Sequence, residues 1–209
     1  MKIAIIGTGN VGGALATRWA SAGHTILLGV RQNQTFKGQH LLQNPNTQAY
    51  SLPECAEKAD TLLIAAAPEA SQEIAALIQP FVKGKVVIDA MNSIRTRPEG
   101  FANSFEALRH YLPESEVVKC FNTTGFENMA NPVYEGQGID MFVAGNSGLG
   151  KQTAQKLALE AGFGECWDFG GDERVALLEQ LALAWINLAI FQGKGRNIAF
   201  RVLRREPPQ

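Results

Sequence analysis

A glycine-rich loop near the start of the chain has the spacing that points most directly to chemistry. Its sequence GTGNVG, residues 7–12, fits the pattern G-x-G-x-x-G, follows a short apolar run and opens a stretch with helical spacing. In that setting Gly7 permits a tight turn, Gly9 lets the main chain approach a pyrophosphate, and Gly12 allows close packing of helix on strand. Main-chain N–H groups at the start of the helix hold the phosphate charge. The motif predicts a dinucleotide site, with a plain glycine-rich turn as the alternative.

The end of the second predicted strand indicates which nicotinamide dinucleotide is bound. An NAD site usually has an acidic residue about 20 residues after the motif, where it binds the ribose hydroxyls. This chain has Gly29, Val30 and Arg31 there, and its first acidic residue is Glu54. A guanidinium can bind a 2′-phosphate in bidentate fashion, so Arg31 predicts NADP. Lys37 is either a second cation for that phosphate or a solvated lysine.

Polar residues at the ends of two later strands are the candidates for catalysis. Asp89 and Asn92 follow one strand, and Lys119 and Asn122 end the next. We expect Asn92 and Asn122 to be hydrogen-bonding residues and Asp89 to be a turn or capping residue. Lys119 either orients a substrate or extends to solvent. The sequence therefore predicts no catalytic acid or base, which favours hydride transfer between a nicotinamide and a flavin-like ring over carbonyl reduction.

Small residues occur along the same predicted cleft. Ala66 and Ala67 lie after the third strand, and the run NTTG occupies residues 122–125 after the fifth. Two stacked rings need face-to-face alignment more than a reactive side chain, and small residues leave room for such stacking.

Apolar runs bounded by turn residues alternate with stretches of helical spacing, which is typical of βαβ units in a parallel sheet. The sequence predicts an α/β fold with a doubly wound, mostly parallel Rossmann sheet and a short C-terminal helical extension. The predicted strands are 3–6, 26–28, 61–65, 86–88, 117–121 and 139–144, and the predicted helices are 11–22, 70–78, 105–111, 151–161 and 181–191.

Composition excludes several other classes of protein. The 209 residues are 45% apolar and 19% charged with a net charge of −1, which argues against a disordered chain and against a nucleic-acid-binding protein. Three scattered cysteines predict reduced thiols, and the three histidines show no metal-ligand spacing. The apolar run before Gly7 is too short for a secretory signal, so we expect a cytoplasmic protein.

The predicted C-terminal helix is apolar on nearly all sides. Ten of the eleven residues 181–191 are apolar, the exception being Asn187. Such a helix is buried on more than one side, and the stretch is short for a membrane span. Burial within one chain and burial between chains are both open. We expect a homo-oligomer formed through this helix, and no membrane contact.

Four segments together resemble the NADPH-dependent reductases of the deazaflavin coenzyme F420. They are residues 5–31, VVKCFNTTGF (117–126), DMFVAGNS (140–147) and the long segment 178–203, which runs from the apolar helix into a G-x-G turn. The resemblance extends over nearly the whole chain. It implies NADP(H) as cofactor and coenzyme F420 or a flavin as co-substrate.

The resemblance also implies individual contacts. Those with NADP fall on Thr8, Gly9, Asn10, Val11, Val30, Arg31, Ala67 and Ser71, and those with the deazaflavin fall on Asn122, Thr123, Gly125, Gly193 and Gly195. The chain departs from the family at Val30, where a serine is usual, and at Ser71, where a histidine is usual. Its Lys37 matches the family's lysine only after a small shift.

Residues 1–170 are expected to form the NADP-binding domain. Residues 171–209 would add a helix and a turn that complete the substrate cleft within the same structural unit. The alternatives left open are a non-catalytic NADP-binding sensor or subunit, a small carbonyl or imine reductase, and a ferric reductase.

Overall fold

The protein, seen here as a computed structural model, is described over residues 1–31 and 35–205. The end of the predicted C-terminal segment, residues 206–209, therefore lies outside the described residues. In chain order the strands are β1 (Lys2–Ile6), β2 (Thr25–Gly29), β3 (Thr47–Tyr50), β4 (Thr61–Ile64), β5 (Val86–Asp89), β6 (Glu116–Cys120), β7 (Val133–Tyr134), β8 (Gln137–Gly138), β9 (Asp140–Ala144) and β10 (Glu165–Asp168). The helices are α1 (Asn10–Ser21), α2 (Leu52–Lys58), α3 (Ser71–Ile78), α4 (Ser104–Tyr111), α5 (Phe126–Ala130), α6 (Gly148–Ala161) and α7 (Val175–Ile186).

Eight of these strands form one sheet in the order β10-β9-β6-β5-β4-β1-β2-β3, and β7 pairs with β8 in a separate hairpin. Strands β1 to β6 are parallel to one another. Helices α1 and α6 pack on one face, and α2, α3, α4 and α7 pack on the other. Because both faces are covered, the central strands are mainly apolar. The predicted α/β, doubly wound and mostly parallel fold is confirmed.

The chain reverses its direction of travel across the sheet at β1. From there it builds outward through β2 and β3, and then returns to β4 on the other side of β1. Ile6 at the end of β1 pairs with Ile64 of β4 and with Gly29 of β2, so the three strands end at the same edge. In open α/β sheets ligands bind in the crevice at such a point. The glycine-rich loop begins there.

Six short elements of the described residues were not predicted from the sequence, namely β3, β7, β8, β10, α2 and α5. Each has at most seven residues, which is too few to give a clear hydrophobic period. Strand β9 was predicted without its direction. It runs antiparallel to β6 because the chain between them forms the short α5 and a hairpin instead of a long crossover helix.

The C-terminal helix begins earlier than predicted. A 3₁₀ turn at Asp172–Arg174, α7 and a π-helical turn at Asn187–Phe191 form one continuous helix of 20 residues. One face packs on the sheet, whereas Leu177, Leu188 and Phe191 are exposed. By length and composition alone this helix would suffice to cross a membrane, and a third of its apolar window is buried inside the protein.

Candidate functional site

The glycine-rich loop has the geometry that its spacing predicts. Gly7 has a φ of +101°, and a Cβ there would lie 2.3 Å from the main-chain oxygen of Ala65. A Cβ on Gly12 would lie 2.0 Å from the main-chain oxygen of Gly7. A Cβ on Gly9 would meet nothing within 4 Å. The loop therefore needs glycine for packing at its two ends and leaves open space at its centre, where a pyrophosphate would approach.

A cavity of about 420 Å³ lies on the β2 side of this loop. The residues that line it come from the ends of β1, β2 and β4 and from α2 and α3, and they are Ile6, Gly7, Thr8, Gly29, Val30, Arg31, Thr35, Phe36, Leu52, Ala66 and Ile74. Its walls are mainly apolar, and Arg31 is its cation. An apolar slot beside a cation at the end of β2 has the chemistry that an adenosine with a 2′-phosphate needs.

Arg31 in the wall of this cavity forms an ion pair. Its Nη2 lies 3.0 Å from Oε2 of Glu73 on α3, and both side chains are more than half exposed. Lys37 is exposed, and its main-chain oxygen accepts a hydrogen bond from the Thr8 hydroxyl. That contact ties the segment after β2 to the glycine-rich loop. A role for the Lys37 side chain as a second cation stays a prediction.

One residue expected to contact the cofactor lies elsewhere. Ser71 is fully buried, and its hydroxyl donates to the main-chain oxygen of Pro68 at 2.6 Å. The expectation that Ser71 contacts the cofactor is therefore wrong for this structure, because its side chain stabilises the turn that begins α3. Ala67 in the same turn is exposed.

A second cavity, of about 260 Å³, lies on the other side of the glycine-rich loop. Its lining is formed by the start of α1, the ends of β5 and β6, and the C-terminal helix and turn. The residues are Asn10, Val11, Asn92, Asn122, Thr124, Gly125, Phe126, Ala182, Trp185, Ile186 and Arg196. Because Gly7 and Thr8 of the glycine-rich loop line the first cavity and Asn10 and Val11 of the same loop line the second, one extended ligand can reach both.

Two asparagines at the wall of the second cavity are joined by two hydrogen bonds. Nδ2 of Asn92 donates to the main-chain oxygen of Asn122 at 2.8 Å, and Nδ2 of Asn122 donates to Oδ1 of Asn92 at 3.0 Å. Since the two amide nitrogens are used in this way, the orientation of the Asn122 amide is set. Oδ1 of Asn122 is buried and has no hydrogen-bond donor among the described residues. A buried acceptor without a partner is costly and is expected to have one in the liganded state.

The backbone before Asn122 is strained. Phe121 has a φ of +60°, a left-handed conformation that aromatic residues rarely adopt and that costs about 1–3 kcal/mol. Its ring is buried edge-on against Trp19, with centroids 5.5 Å apart. The abrupt turn brings Asn122 and Thr124 to the cavity. Thr123 points inward, with its hydroxyl 3.7 Å from the sulfur of Met141. The sequence predicts Thr123 as a substrate contact, but the residue that lines the cavity is its neighbour Thr124.

Arg196 closes the outer side of the second cavity. Its guanidinium lies 5.3 Å from the ring centroid of Phe126 and 5.4 Å from that of Trp185, and it forms an ion pair with Glu127. Burial alone raises the pKa of the Glu127 carboxyl, but hydrogen bonds from Arg196 and from its own main chain, together with the charge of Arg196, outweigh this and lower it. Trp185 in turn donates from Nε1 to the main-chain oxygen of Ile198 at 2.7 Å.

The remaining glycines expected to contact the substrate differ in position. Gly125 lines the cavity, and a Cβ there would lie 2.6 Å from the Trp185 ring. Gly193 and Gly195 have positive φ values of 64° and 83° and form the exposed turn that precedes Arg196. They are not among the residues that line the cavity. The sequence analysis missed Arg196, although it directly follows this G-x-G turn.

The sequence of this site has recognisable relatives. Residues 2–93 match the family described as NADP oxidoreductase, coenzyme F420-dependent. The matched residues include the glycine-rich loop and Arg31, and the chain is similar to that family over this part. The resemblance inferred from the sequence is thereby confirmed, and the protein is an oxidoreductase of an NADP-dependent type.

Proteins of similar length show the same similarity. The F420-dependent NADP reductase of Methanothermobacter thermautotrophicus is 27% identical over 221 residues, which cover 97% of this chain and 94% of that protein. A crystal structure of a proposed F420-dependent NADP reductase from Arthrobacter sp. FB24 aligns with a TM-score of 0.85 and 25% identity, covering 98% of this chain and all of that one. A reductive aminase from Aspergillus terreus, in complex with NADPH and ethyl levulinate, shares the fold with a TM-score of 0.67 at 18% identity. This chain covers 62% of its length.

Two candidate catalytic residues lie in the protein interior and do not reach the cleft. Lys119 and Asp89 are fully buried, and Nζ of Lys119 lies 3.0 Å from Oδ2 of Asp89 and 2.9 Å from Oε1 of Glu179 on α7. Asp89 also accepts from the main-chain N–H of Met91 and from the Ser104 hydroxyl, at 2.9 and 2.7 Å. Asp89 is thus a turn residue, as expected.

Lys119 neither faces a substrate nor extends to solvent, so both interpretations of it are wrong. We call Lys119, Asp89 and Glu179 the buried triad. A signal for it was present in the sequence, since Glu179 is a lone carboxylate within an apolar helical stretch. A carboxylate in that position is buried only with a partner.

Proposed function

We propose that this oxidoreductase transfers a hydride between NADP(H) and a deazaflavin, coenzyme F420, or a related flavin-like acceptor. The observation that carries the proposal is the composition of the second cavity. Its described lining contains amides, a hydroxyl, apolar and aromatic side chains and one guanidinium, and no carboxylate, imidazole, thiol or amine. A site of this composition aligns two rings and supplies no proton, which suits hydride transfer between them.

The residues present fit a bound NADP(H). The open space at Gly9, the unpartnered amide oxygen of Asn122 and the cation at Arg31 lie along one path from the second cavity to the first. When bound, NADP(H) supplies the hydride at its nicotinamide ring. We assign Arg31 to the 2′-phosphate, the N–H groups of the glycine-rich loop to the pyrophosphate, and Oδ1 of Asn122 to an N–H donor of one of the two rings.

The C-terminal residues complete the acceptor side in this proposal. Trp185, Ile186 and Arg196 line the second cavity together with Asn92 and Asn122, which belong to the sheet. The apolar side chains exclude water from the reacting rings, and the Arg196 guanidinium offers a charge to the polar edge of the acceptor. Residues 171–205 therefore act as part of the site of domain 1–170. The descriptions of the family and of the Methanothermobacter relative support a deazaflavin as that acceptor.

Anaerobic oxidation of NADPH with several acceptors tests the function. We expect turnover with coenzyme F420, slower or no turnover with FMN, and none with cyclohexanone in the presence or absence of an amine. NADPH carrying deuterium at carbon 4 should transfer the label directly to the deazaflavin ring, as measured by mass spectrometry. Turnover of the ketone or imine without turnover of F420 would contradict the proposal and favour a carbonyl or imine reductase. Tight NADPH binding with no acceptor turned over would favour the sensor.

We further propose that a second copy of the chain covers the exposed face of α7, and that the oligomer is cytoplasmic. Leu177 is 51% exposed and Leu188 is 38% exposed, and both lie on an apolar helix that solvent would otherwise wet. Replacing both by aspartate should convert the oligomer to monomers in sedimentation velocity, with the folded CD spectrum kept. Trp185 and Ile186 are unsuitable for this test because Trp185 is buried within its own chain and both line the cavity. A wild type that sediments as a monomer at micromolar concentration would reject the proposal.

A further inference from the structure

A carboxylate lies beside the end of β2, although the sequence has no acidic residue at that position. NAD sites usually take their ribose-binding carboxylate from the end of β2, and in this chain that position is Arg31. The carboxylate of Glu73 reaches the same place from α3, 42 residues further along the chain. The next residue, Ile74, lines the same cavity as Arg31, so α3 forms one wall of it.

The pair formed by Arg31 and Glu73 is able to exchange partners. The two side chains are 66% and 59% exposed, and one contact of 3.0 Å joins them. Exposed ion pairs of this kind change an equilibrium constant by at most about fivefold. A phosphate dianion offers Arg31 two parallel hydrogen bonds and more charge, so it displaces a carboxylate held in this way.

We propose that Glu73 competes with the 2′-phosphate for Arg31 and so determines how strongly the site prefers NADP(H) over NAD(H). The inference rests on the proposed assignment of Arg31 to that phosphate. Binding of a 2′-phosphate breaks the Arg31–Glu73 pair and leaves a carboxylate close to a dianion. Binding of a cofactor with a free 2′-hydroxyl leaves the pair intact. Glu73 is thus a specificity-determining residue. It lowers the ratio of NADP(H) affinity to NAD(H) affinity and speeds the release of NADP(H).

Replacement of Glu73 by glutamine tests this without any electron acceptor. Binding of adenosine 2′,5′-bisphosphate and of 5′-AMP is measured by calorimetry for the wild type and for Glu73→Gln. We expect the variant to bind the bisphosphate about three to ten times more tightly, from loss of the competing pair and of the repulsion. Affinity for 5′-AMP should stay within twofold, and NADPH and NADH should follow the same pattern. Because Glu73 is exposed, the variant should melt within a degree or two of the wild type.

Two further variants isolate the route through Arg31. Glu57→Gln removes the same charge from an exposed position on α2 and should change neither affinity by more than twofold. In an Arg31→Ala background only the repulsion between Glu73 and the phosphate is left, so Glu73→Gln should raise bisphosphate affinity by a smaller factor than it does in the wild type. An equal gain with Glu57→Gln or in the Arg31→Ala background would overturn the inference, because the effect would then be general repulsion.

The failure of this inference is distinguishable from failure of the proposed function. A wild type that prefers the bisphosphate, with Glu73→Gln unchanged, contradicts the role of Glu73 and leaves the NADP site in place. A wild type that binds the bisphosphate no better than 5′-AMP contradicts the NADP assignment itself.

Discussion

Two ion-pair clusters lie at the same edge of the sheet and differ in exposure. The difference distinguishes charges that are able to bind a ligand from charges that stabilise the fold. Arg31 and Glu73 face solvent at the end of β2, whereas Lys119 and Asp89, at the ends of β6 and β5, are fully buried and Glu179 nearly so. An exposed charge exchanges its partner for a ligand at small cost. A buried charge cannot, since any member left alone lacks both water and a partner. Polar residues at strand ends therefore do not share one role.

The largest expected effect is on the buried triad. Lys119→Met keeps the length of the side chain but leaves Asp89 and Glu179 without their cation. Removing one partner of a buried pair typically costs about 3–5 kcal/mol, so the free energy of unfolding in urea should fall by that amount. Arg31→Ala, at the exposed pair, should change it by less than about 0.5 kcal/mol.

The comparison between the clusters fails if Lys119→Met folds with normal stability. It also fails if this variant binds NADPH normally and loses about ten-thousandfold in kcat, since Lys119 would then be a proton donor that the structure hides. A triple variant that replaces the whole triad by apolar residues should recover part of the stability, because no charge is left unpaired.

Arg31 should dominate the choice of cofactor. A charged bidentate contact contributes about 1.5–3 kcal/mol, so the wild type should bind NADPH at least tenfold more tightly than NADH. Arg31→Ala should remove most of that preference while NADH affinity changes little. Arg31→Lys keeps the charge without the planar fork and should fall between the two. Equal affinities for the two cofactors in the wild type, measured by fluorescence titration, would be incompatible with this assignment.

Asn122 should affect the rate through alignment. Asn122→Ala removes the unpartnered acceptor and one half of the asparagine pair, so kcat should fall by about ten- to a hundredfold. Asn92→Ala breaks the same pair but keeps the acceptor, and it should cost less. An Asn92→Ala variant that is as slow as Asn122→Ala would show that the pair, and not the free oxygen of Asn122, is what matters.

The parts of the site that could be predicted depend on local chain geometry. The roles of Gly7, Gly9 and Gly12 follow from a strand, a turn and a helix adjacent in sequence, and Arg31 follows from its place at the end of a strand. The short β3, β7, β8, β10, α2 and α5 were not predicted because their patterns extend over too few residues.

Contacts between distant segments could not be predicted. Glu73 meets Arg31 across 42 residues, Glu179 meets Lys119 across 60, and Arg196 meets Glu127 across 69. Hydrophobic period and motif spacing contain no information on which charge a side chain meets after folding. The direction of a side chain in the turns that follow a strand is likewise set by packing, as Thr123 after β6 and Ser71 at the start of α3 show.

The smallest expected effect concerns the ion pair at the rim of the second cavity, which is intermediate in exposure between the two clusters. The folded protein lowers the pKa of the Glu127 carboxyl below its ordinary value of 4.5. A lowered pKa means that the ionised carboxylate stabilises the fold. This contribution is fully present above pH 4.5 and is lost as the pH falls through the lowered value. The free energy of unfolding of Glu127→Gln should thus lie below that of the wild type at pH 7.

On acidification the two proteins should converge, because protonation of Glu127 in the wild type removes the same charge that the substitution removes. Glu99→Gln, at an exposed loop position, controls for general charge effects. Its free energy of unfolding should change with pH in the same way as that of the wild type. The cation–π contacts of Arg196 with Phe126 and Trp185 do not depend on Glu127 ionisation, so Arg196 should keep its place in the acid form. Urea unfolding followed by Trp fluorescence between pH 7 and pH 3.5 measures the difference. A gap between wild type and Glu127→Gln that widens on acidification would have the wrong sign and would remove Glu127 as the partner that holds Arg196.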